Sequence, residues 1–357
     1  MVPIVRPELG DEEVAAAARV IRSGWILMGP EVAAFEAEFA AAVGAPHAVA
    51  VSSGTSALEL ALRVLGIGPG DEVITVSHSF IASANCITVL GAVPVFVDVE
   101  PDTYGPDPRH VAAAIGPRTR AVLAPHQLGI PCRIGAILDA AGGLPVVEDA
   151  ACALGSELGG ARIGRPHGAL ATFSFHPRKV LTTGDGGMIT TRDPEHAARL
   201  RRLRAHGLEG GAFVEPAWNH RLTDLQAAIA RPQLARLEAT LVERRRLAAR
   251  WTELLRIHPT LMPPTPPPDT NPNWQSYPAR ARAGDAAPIL AALEAAGVGA
   301  RPGIVNAHVQ PAYRDRGRVG PLGLAVSEQL ARETVLLPLF HGMTREEEHT
   351  VIAALSS

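Results

Sequence analysis

Short apolar runs alternate with helical segments along most of this chain, and that alternation limits the folds open to it. Strands that are buried on both faces of a sheet read as near-continuous apolar stretches. The runs with this character are Ala48–Val51, Glu72–Val76, Val93–Val97, Ala121–Ala124, Pro145–Val147, Ala171–Phe175 and Met188–Thr191. Because helical segments separate most of these runs, the pattern predicts an α/β fold with a mainly parallel sheet covered by helices.

A second, smaller domain is predicted from the C-terminal part of the chain. A length of 357 residues suggests two domains, or one large and one small lobe. The charged stretch Leu222–Ile257 predicts a long helix bent at Pro232, and the proline-rich run after it predicts a stiff linker. We therefore predict a large domain at residues 1–261, a linker at 262–272 and a C-terminal α/β domain at 273–357.

Helical periodicity is clearest in the segment Glu31–Val43. Its apolar residues that fall on one face are Val32, Phe35, Phe39 and Val43. A final helix is predicted at Arg345–Leu355. The arginine-dense stretches Arg199–Arg204 and Arg244–Arg246 read as solvated helix faces.

Charge and cysteine content argue against several classes of protein. The net charge of −3 gives no electrostatic reason for binding to nucleic acid or to a membrane surface. Cys86, Cys132 and Cys152 are too few and too scattered for a disulfide framework or a zinc site, and the histidines show no metal-ligand spacing. The chain has no signal-peptide pattern and no apolar run long enough to span a bilayer. We therefore expect a cytoplasmic protein with no metal site.

Lys179 is the only lysine in a chain that has 33 lysines and arginines together. Arginine keeps its proton in proteins, whereas a lysine amine can lose it and attack a carbonyl. An accident of a biased composition is the alternative explanation. The surrounding sequence reads as a strand, a turn at Pro177, a glycine-rich loop and a second strand from Met188. Such a turn places the lysine at the end of a sheet, where active sites of open α/β sheets form.

Two further motifs can supply the rest of a site around Lys179. The predicted strand Pro145–Val147 ends in Glu148 and Asp149, and an acid there can hydrogen-bond a protonated ring nitrogen. The run Val49–Leu58 reads as strand, small polar turn and helix, so its turn offers N–H groups at a helix N-terminus for an anion. Phosphate cradle, acid and lysine are together the parts of a pyridoxal phosphate site.

The chain resembles the DegT/DnrJ/EryC1/StrS sugar aminotransferases, which have the aspartate aminotransferase fold (fold type I). The segments that carry the resemblance, besides those around Asp149 and Lys179, are Ser23–Trp25, Gly29–Val32, Ser53–Leu58, Gly70–Ile74, Gly91–Val99 and Asn219–Ala228. Their order and spacing extend over nearly the whole chain.

The resemblance implies a role for each residue of the cofactor site. Lys179 matches the lysine that forms the Schiff base with the cofactor and later moves a proton between the substrate carbon and the cofactor. Asp149 matches the acid that pairs with the pyridine nitrogen, where capping of the next helix is the structural alternative. Phe80 matches the residue that stacks on the pyridine ring, where core packing is the alternative.

Phosphate contacts are implied for Gly54, Thr55 and Ser174, with a helix cap and a core hydroxyl as the alternatives for the last two. Asn219 matches an asparagine that reaches the phosphate from the neighbouring subunit. If that match holds, each site needs two chains, and we expect a homodimer with active sites shared across the interface.

Some positions depart from the family pattern or match it weakly. Cys152 stands where many members have a glutamine near the phenolic oxygen of the cofactor, and a small buried cysteine is an equal alternative. His220 stands where a tyrosine or phenylalanine is usual. His176, Arg301 and His308 are candidates for contacts with substrate, and Arg301 can hold a carboxylate or phosphate bidentately.

The resemblance implies an aminotransferase that moves an amino group from glutamate or glutamine to a keto-sugar in amino-deoxysugar biosynthesis, and we expect that sugar to be nucleotide-linked. The cofactor would be pyridoxal 5'-phosphate, with pyridoxamine phosphate as its intermediate form. Alternatives within enzymes are an aminocyclitol aminotransferase and a pyridoxamine-dependent sugar dehydratase, although relatives of the second kind replace the lysine. A non-catalytic regulatory protein that binds the cofactor is the alternative from another class.

Overall fold

The computed structural model describes residues 1–356; Ser357, the last residue of the predicted C-terminal domain, lies outside the described residues. The strands are β1 (His47–Val51), β2 (Glu72–Val76), β3 (Val93–Val97), β4 (Thr119–Pro125), β5 (Val146–Asp149), β6 (Glu157–Leu158), β7 (Ala161–Arg162), β8 (Leu170–Ser174), β9 (Gly187–Thr191), β10 (Leu208–Glu209), β11 (Ala212–Phe213), β12 (Leu261–Met262), β13 (Thr270–Asn271), β14 (Tyr277–Ala281), β15 (Arg301–Pro302), β16 (Arg318–Val319) and β17 (Thr334–Leu337).

The helices are α1 (Asp11–Ser23), α2 (Pro30–Val43), α3 (Gly54–Val64), α4 (Ala82–Thr88), α5 (Pro108–Ala114), α6 (Ile134–Ala141), α7 (Pro194–Leu203), α8 (Asp224–Ala235), α9 (Leu237–Arg256), α10 (Ala287–Ala295), α11 (Ala325–Glu333) and α12 (Arg345–Ser356), with a short 3-10 turn at Gln127–Gly129. The predicted helix Glu31–Val43 is confirmed as α2, and its four apolar residues are all buried. The predicted final helix is confirmed as α12.

The largest sheet within residues 1–356 has eight strands in the order β1-β9-β8-β5-β4-β2-β3-β16. Its neighbours pair in parallel from β16 to β8, and β9 runs antiparallel to both β8 and β1. The prediction of a mainly parallel sheet is therefore confirmed, and each apolar run of the sequence overlaps one of these strands. Because β2, β4, β5 and β8 are parallel, their carboxyl ends share one edge of the sheet.

The stretch Leu222–Ile257 differs from its prediction as one helix bent at Pro232. It forms two helices, α8 and α9, and the chain leaves the helical conformation at Arg236, with φ −97° and ψ 11°. Pro232 lies inside α8, whose last turn still closes through Arg236 N donating to Pro232 O at 3.2 Å. The proline marks the region of the break because it lacks an N–H, but the break itself comes four residues later.

The reading of the arginine-dense stretches as solvated helix faces is wrong for two members. Arg204 and Arg244 are buried, with 6% and 2% of their surface exposed. Arg204 pairs with Glu36 and donates to Ala50 O at 2.7 Å. Within residues 1–356, the Arg244 side chain donates only to neutral groups, which are backbone carbonyls and a histidine ring. Periodicity alone gave no sign of these partners, because they lie far away in the sequence.

A smaller sheet, in the order β12-β14-β17-β15, belongs to the C-terminal part of the chain. The core beneath it includes Leu247 and Trp251 from α9, and also Val2 from the opposite end of the chain. Within the predicted linker, β13 pairs with β6, which lies between β5 and β8 in the chain. The division at residues 261 and 273 remains a prediction.

Two absences bear on function. No helix within residues 1–356 combines the length and apolar character needed to cross a membrane. Across the same residues, histidine, cysteine and acidic side chains form no group of three or more that could hold a metal ion.

Four phenylalanines join α2 to the large sheet, and Phe39 lies at their centre. Its ring centroid is 5.9 Å from that of Phe35, 5.0 Å from Phe173 and 5.8 Å from Phe175. We predict that Phe39→Ala lowers the free energy of unfolding by about 3–5 kcal/mol, because it leaves a cavity among these rings. Urea denaturation followed by circular dichroism measures the change. Ile257→Ala, at an exposed side chain, is the control and should change stability by less than about 0.5 kcal/mol; equal effects would contradict the prediction.

Candidate active site

The end of β5 separates its two acidic residues onto opposite faces, because successive side chains of a strand alternate. Glu148 is fully buried and accepts hydrogen bonds from His126 Nε2 at 3.1 Å, His167 N at 2.6 Å and Gly168 N at 3.0 Å. Burial alone would raise the pKa of Glu148, but these hydrogen bonds and the His126 ring lower it to about 2. Glu148 is thus engaged in the core, and Asp149 is the acid that remains for a ligand.

Asp149 is buried and oriented by two hydrogen bonds. Its Oδ1 accepts from Ala151 N at 3.1 Å, and its Oδ2 accepts from Ser83 Oγ at 3.0 Å. Ser83 Oγ lies 2.8 Å from Ser79 Oγ in turn. Burial raises the pKa of Asp149, while both hydrogen bonds and the charge of Lys179 counteract the rise. Sequence reasoning missed Ser83, since nothing in its neighbourhood signals a contact with a strand 66 residues away.

Lys179 lies in the loop after β8 and is half-buried. Its Nζ donates to Cys152 Sγ at 3.1 Å, and its backbone N donates to His176 O at 2.8 Å. The structure therefore brings Lys179, Cys152 and Asp149 together at the carboxyl edge of the sheet. His176 is exposed on the same turn, and burial together with the charges of Lys179 and Arg178 lowers its pKa.

The predicted anion site lies at the N-terminus of α3. Ser53 caps the helix, with its Oγ accepting from Ser56 N at 3.0 Å. The first N–H groups of a helix have no partner within the helix and point outward from its end. Gly54 lies so close to β8 that an added Cβ would be 2.6 Å from Ser174 Cβ. This close approach puts Ser174 beside Gly54 and Thr55, the other two predicted phosphate contacts.

His220, which stands where the family usually has a tyrosine or phenylalanine, contacts this turn. Its Nδ1 lies 3.0 Å from Ser56 Oγ, and its backbone O accepts from Ser52 N at 2.8 Å. Burial lowers the pKa of His220, so the neutral ring is favoured at this helix end. Asn219, its neighbour, is exposed, and its Oδ1 accepts from Arg221 Nε at 3.0 Å.

The remaining predicted residues lie on segments around this edge. Phe80 follows β2, and 73% of its surface is exposed, so its ring is not part of the core. His308 is held by Ser77, whose Oγ lies 2.6 Å from His308 Nδ1 and 3.1 Å from His308 N. Arg301 lies on β15 and is exposed. Roles in ring stacking and substrate binding stay predictions for all three.

The site's donors and acceptors fit pyridoxal phosphate. A buried carboxylate can hold a ring nitrogen protonated, a helix N-terminus with a neighbouring hydroxyl can hold a phosphate, and the charge of the lysine amine acts on the carboxylate. The close approach of Gly54 to Ser174 leaves no room for a side chain in the cradle.

Comparison with known proteins points to the same class of enzyme. The model of the DegT/DnrJ/EryC1/StrS aminotransferase family matches residues 7–356. DesV from S. venezuelae, solved in complex with a ketimine intermediate, is 40% identical, with a TM-score of 0.91 and 98% of each chain covered. The aminotransferase TlmJ from Streptoalloteichus hindustanus is 36% identical, with a TM-score of 0.93 over 100% of this chain and 98% of its own.

A more distant structural relative informs on the cofactor. Spr1654 from Streptococcus pneumoniae is 26% identical, with a TM-score of 0.94 over 99% of this chain and 97% of its own, and was solved in PLP and PMP forms.

Fold and site thus define an aminotransferase. The chain belongs to the DegT/DnrJ/EryC1/StrS aminotransferase family, and the expected α/β fold of the pyridoxal-phosphate-dependent transferases is confirmed.

Gly54→Ala tests the phosphate cradle. We predict that it weakens binding of pyridoxal phosphate about tenfold or more, equivalent to about 1.4 kcal/mol, because the new methyl group pushes α3 away from Ser174. Absorbance titration of the apoprotein measures the dissociation constant. The matched control is Gly68→Ala, where an added Cβ meets nothing within 4 Å; equal affinities in the two variants would contradict the predicted cradle.

Proposed function

We propose that this chain is a pyridoxal-phosphate-dependent aminotransferase that moves an amino group from glutamate or glutamine to a keto-sugar carried on a nucleotide, in amino-deoxysugar biosynthesis. The observation that carries the proposal is the meeting of Lys179, Asp149 and the α3 N-terminus at one sheet edge. Spr1654, described as a candidate sugar aminotransferase, supports the substrate class. The free thiols of Cys86, Cys132 and Cys152 support a reducing compartment such as the cytoplasm.

When bound, pyridoxal phosphate supplies an aldehyde for the amine and a ring that serves as an electron sink. Asp149, fixed by Ser83 and Ala151, is positioned to keep the ring nitrogen protonated. Gly54 and Thr55 would bind the phosphate through their N–H groups, with Ser174 Oγ beside them. Lys179 Nζ would hold the aldehyde at rest and move a proton at the substrate carbon once released.

A second candidate substrate is a keto-cyclitol or a related carbocyclic ketone. A relative that is 30% identical, with a TM-score of 0.91, is the 3-amino-5-hydroxybenzoic acid synthase, whose name gives a carbocyclic product. The parts of the site that hold the cofactor do not separate the two substrates. The candidate substrate residues Arg301 and His308 lie on the segment where such a preference would arise.

A homodimer with shared sites is part of the proposal. Large apolar side chains are exposed on two segments, Trp25–Leu27 and Phe213–Trp218. Extended apolar surface of this kind marks protein interfaces. Asn219 follows the second segment directly and is exposed; its backbone pairs with Ala205, and its Oδ1 accepts from Arg221, which leaves its amide NH2 group to donate to a second copy.

Lys179→Arg tests the central role of the lysine. The wild-type protein with pyridoxal phosphate should show a visible absorbance band that glutamate or glutamine bleaches, and the variant should lack the band and lose turnover by about 10³-fold or more. Arg178→Lys, which leaves Lys179 in place, is the control and should keep the band. A band of normal intensity in Lys179→Arg would refute the proposed function, since no other lysine exists in the chain.

Mixing two inactive variants tests the shared site. If Asn219 serves the other subunit, dimers that combine a Lys179→Arg chain with an Asn219→Ala chain contain one intact site. Unfolding and refolding an equal mixture should then recover activity up to about a quarter of the wild-type value, as expected for random pairing in a two-fold dimer. Each variant refolded alone is the control. No recovery in the mixture would mean that Asn219 acts within its own chain.

A further inference from the structure

The loop Asn273–Gln275 contacts both sides of the Lys179–Cys152 pair. Asn273 Nδ2 donates to Cys152 O at 2.9 Å and to Leu154 O at 2.8 Å. Gln275 Nε2 donates to Arg178 O at 2.9 Å, on the residue directly before Lys179. One short loop therefore binds the backbone that carries the amine and the backbone that carries the sulfur facing it.

This loop has little freedom of its own. Asn273 is fully buried, and its Oδ1 accepts from Gln275 N at 2.8 Å. An added Cβ at Gly129 would be 2.0 Å from that same Oδ1, so the backbone at Gly129 packs directly against the Asn273 side chain. Trp274 has φ +53°, which is a rare conformation for a bulky side chain and persists only where surrounding contacts enforce it.

Arg244 on α9 enforces that conformation. Its Nε donates to Asn273 O at 3.2 Å, and its Nη2 donates to Trp274 O at 2.6 Å and Gln275 O at 2.9 Å. Nη2 also donates to Leu339 O at 3.1 Å, which follows the last strand of the smaller sheet. The three carbonyls of the loop thus converge on one guanidinium, which binds the C-terminal part of the chain as well.

The chemistry of this contact is unusual for a buried arginine. No carboxylate within residues 1–356 forms an ion pair with Arg244, although buried charges are normally paired. Burial lowers the pKa of Arg244 to about 10, so it remains a cation at neutral pH. An apolar residue would cost less free energy at this buried position than an unpaired cation. The arginine therefore indicates that the loop carbonyls need several N–H donors from one side chain.

We propose that the loop Asn273–Gln275, held by Arg244, is a positioning element that sets the Lys179 amine against Cys152 and so controls how readily that amine reacts. Gln275 and Arg244 touch neither reacting atom and act through the backbone on either side of it. The catalytic consequence rests on the proposed function, whereas the effect on the amine does not. The link from Arg244 to Leu339 means that the C-terminal part of the chain sets the geometry of the lysine as well.

The single lysine makes the effect directly measurable in the apoprotein. The chain contains one ε-amine besides its N-terminal amine, and Met1 is exposed. Trace reductive methylation with site-resolved mass spectrometry gives the ratio of modification at Lys179 to that at the N-terminus, and the N-terminus is an internal reference in every variant. Gln275→Ala should change this ratio by about threefold to tenfold, the range that one hydrogen bond is worth, and should displace its pH dependence.

Matched variants separate positioning from general stability. Gln329→Ala removes an exposed glutamine whose side chain donates to Glu333 and should leave the ratio unchanged. Arg244→Met should change the ratio in the same direction as Gln275→Ala, and Arg244→Lys should restore part of it. If Arg244→Met does not fold, Gln275→Ala still decides. A lowered melting temperature with an unchanged ratio in Gln275→Ala would overturn the proposal and leave the loop a purely structural element.

The loaded enzyme gives a second readout. Gln275→Ala should lower kcat by about threefold to tenfold and leave KM for the amino donor unchanged, because the loop orients the amine rather than the substrate. A change in KM alone would count against positioning. If no cofactor band forms in the wild-type protein, the proposed function fails, but the labelling ratio still tests the loop.

Discussion

The alternation of side chains at the end of β5 is the constraint on which the site depends. Glu148 and Asp149 are consecutive, so their side chains must point to opposite faces of the sheet. The buried Glu148 side chain accepts hydrogen bonds from His126 Nε2 and from the backbone N–H groups of His167 and Gly168. Cys132 N donates to His126 Nδ1 at 3.1 Å, which leaves Nε2 to carry the proton toward Glu148. The strand end is thereby fixed, and the direction of Asp149 with it.

Much of the fold could be predicted from the sequence because its strands are short, apolar and set between helices. The seven runs all became strands, and α2 has its four predicted core residues. The positions of Lys179, Asp149 and the α3 turn could be predicted as well. Each lies at or after the end of a predicted strand, and the parallel sheet sets the direction of those strands. These features depend on local pattern and on a single rule of topology.

The contacts that orient the site could not be predicted, because they join residues far apart in the sequence. Ser83 contacts Asp149 from helix α4, and Arg244 contacts carbonyls that follow the proline-rich run. Arg244 was read as solvated because its neighbours on α9 are charged. The break at Arg236 was displaced from Pro232 for a similar reason: Gln233 is held in place by Thr182 O at 2.7 Å, which keeps the last turn of α8 intact.

The facing pair formed by Lys179 and Cys152 has a consequence for how this site is specified. Nζ and Sγ meet at 3.1 Å from two different loops, and the chain has no other ε-amine. An amine brought in on the loop of Cys152 would enter the same space, with no competitor elsewhere in the molecule. The space between the two loops therefore specifies where the reactive amine must lie. Either loop could carry the lysine that fills that space.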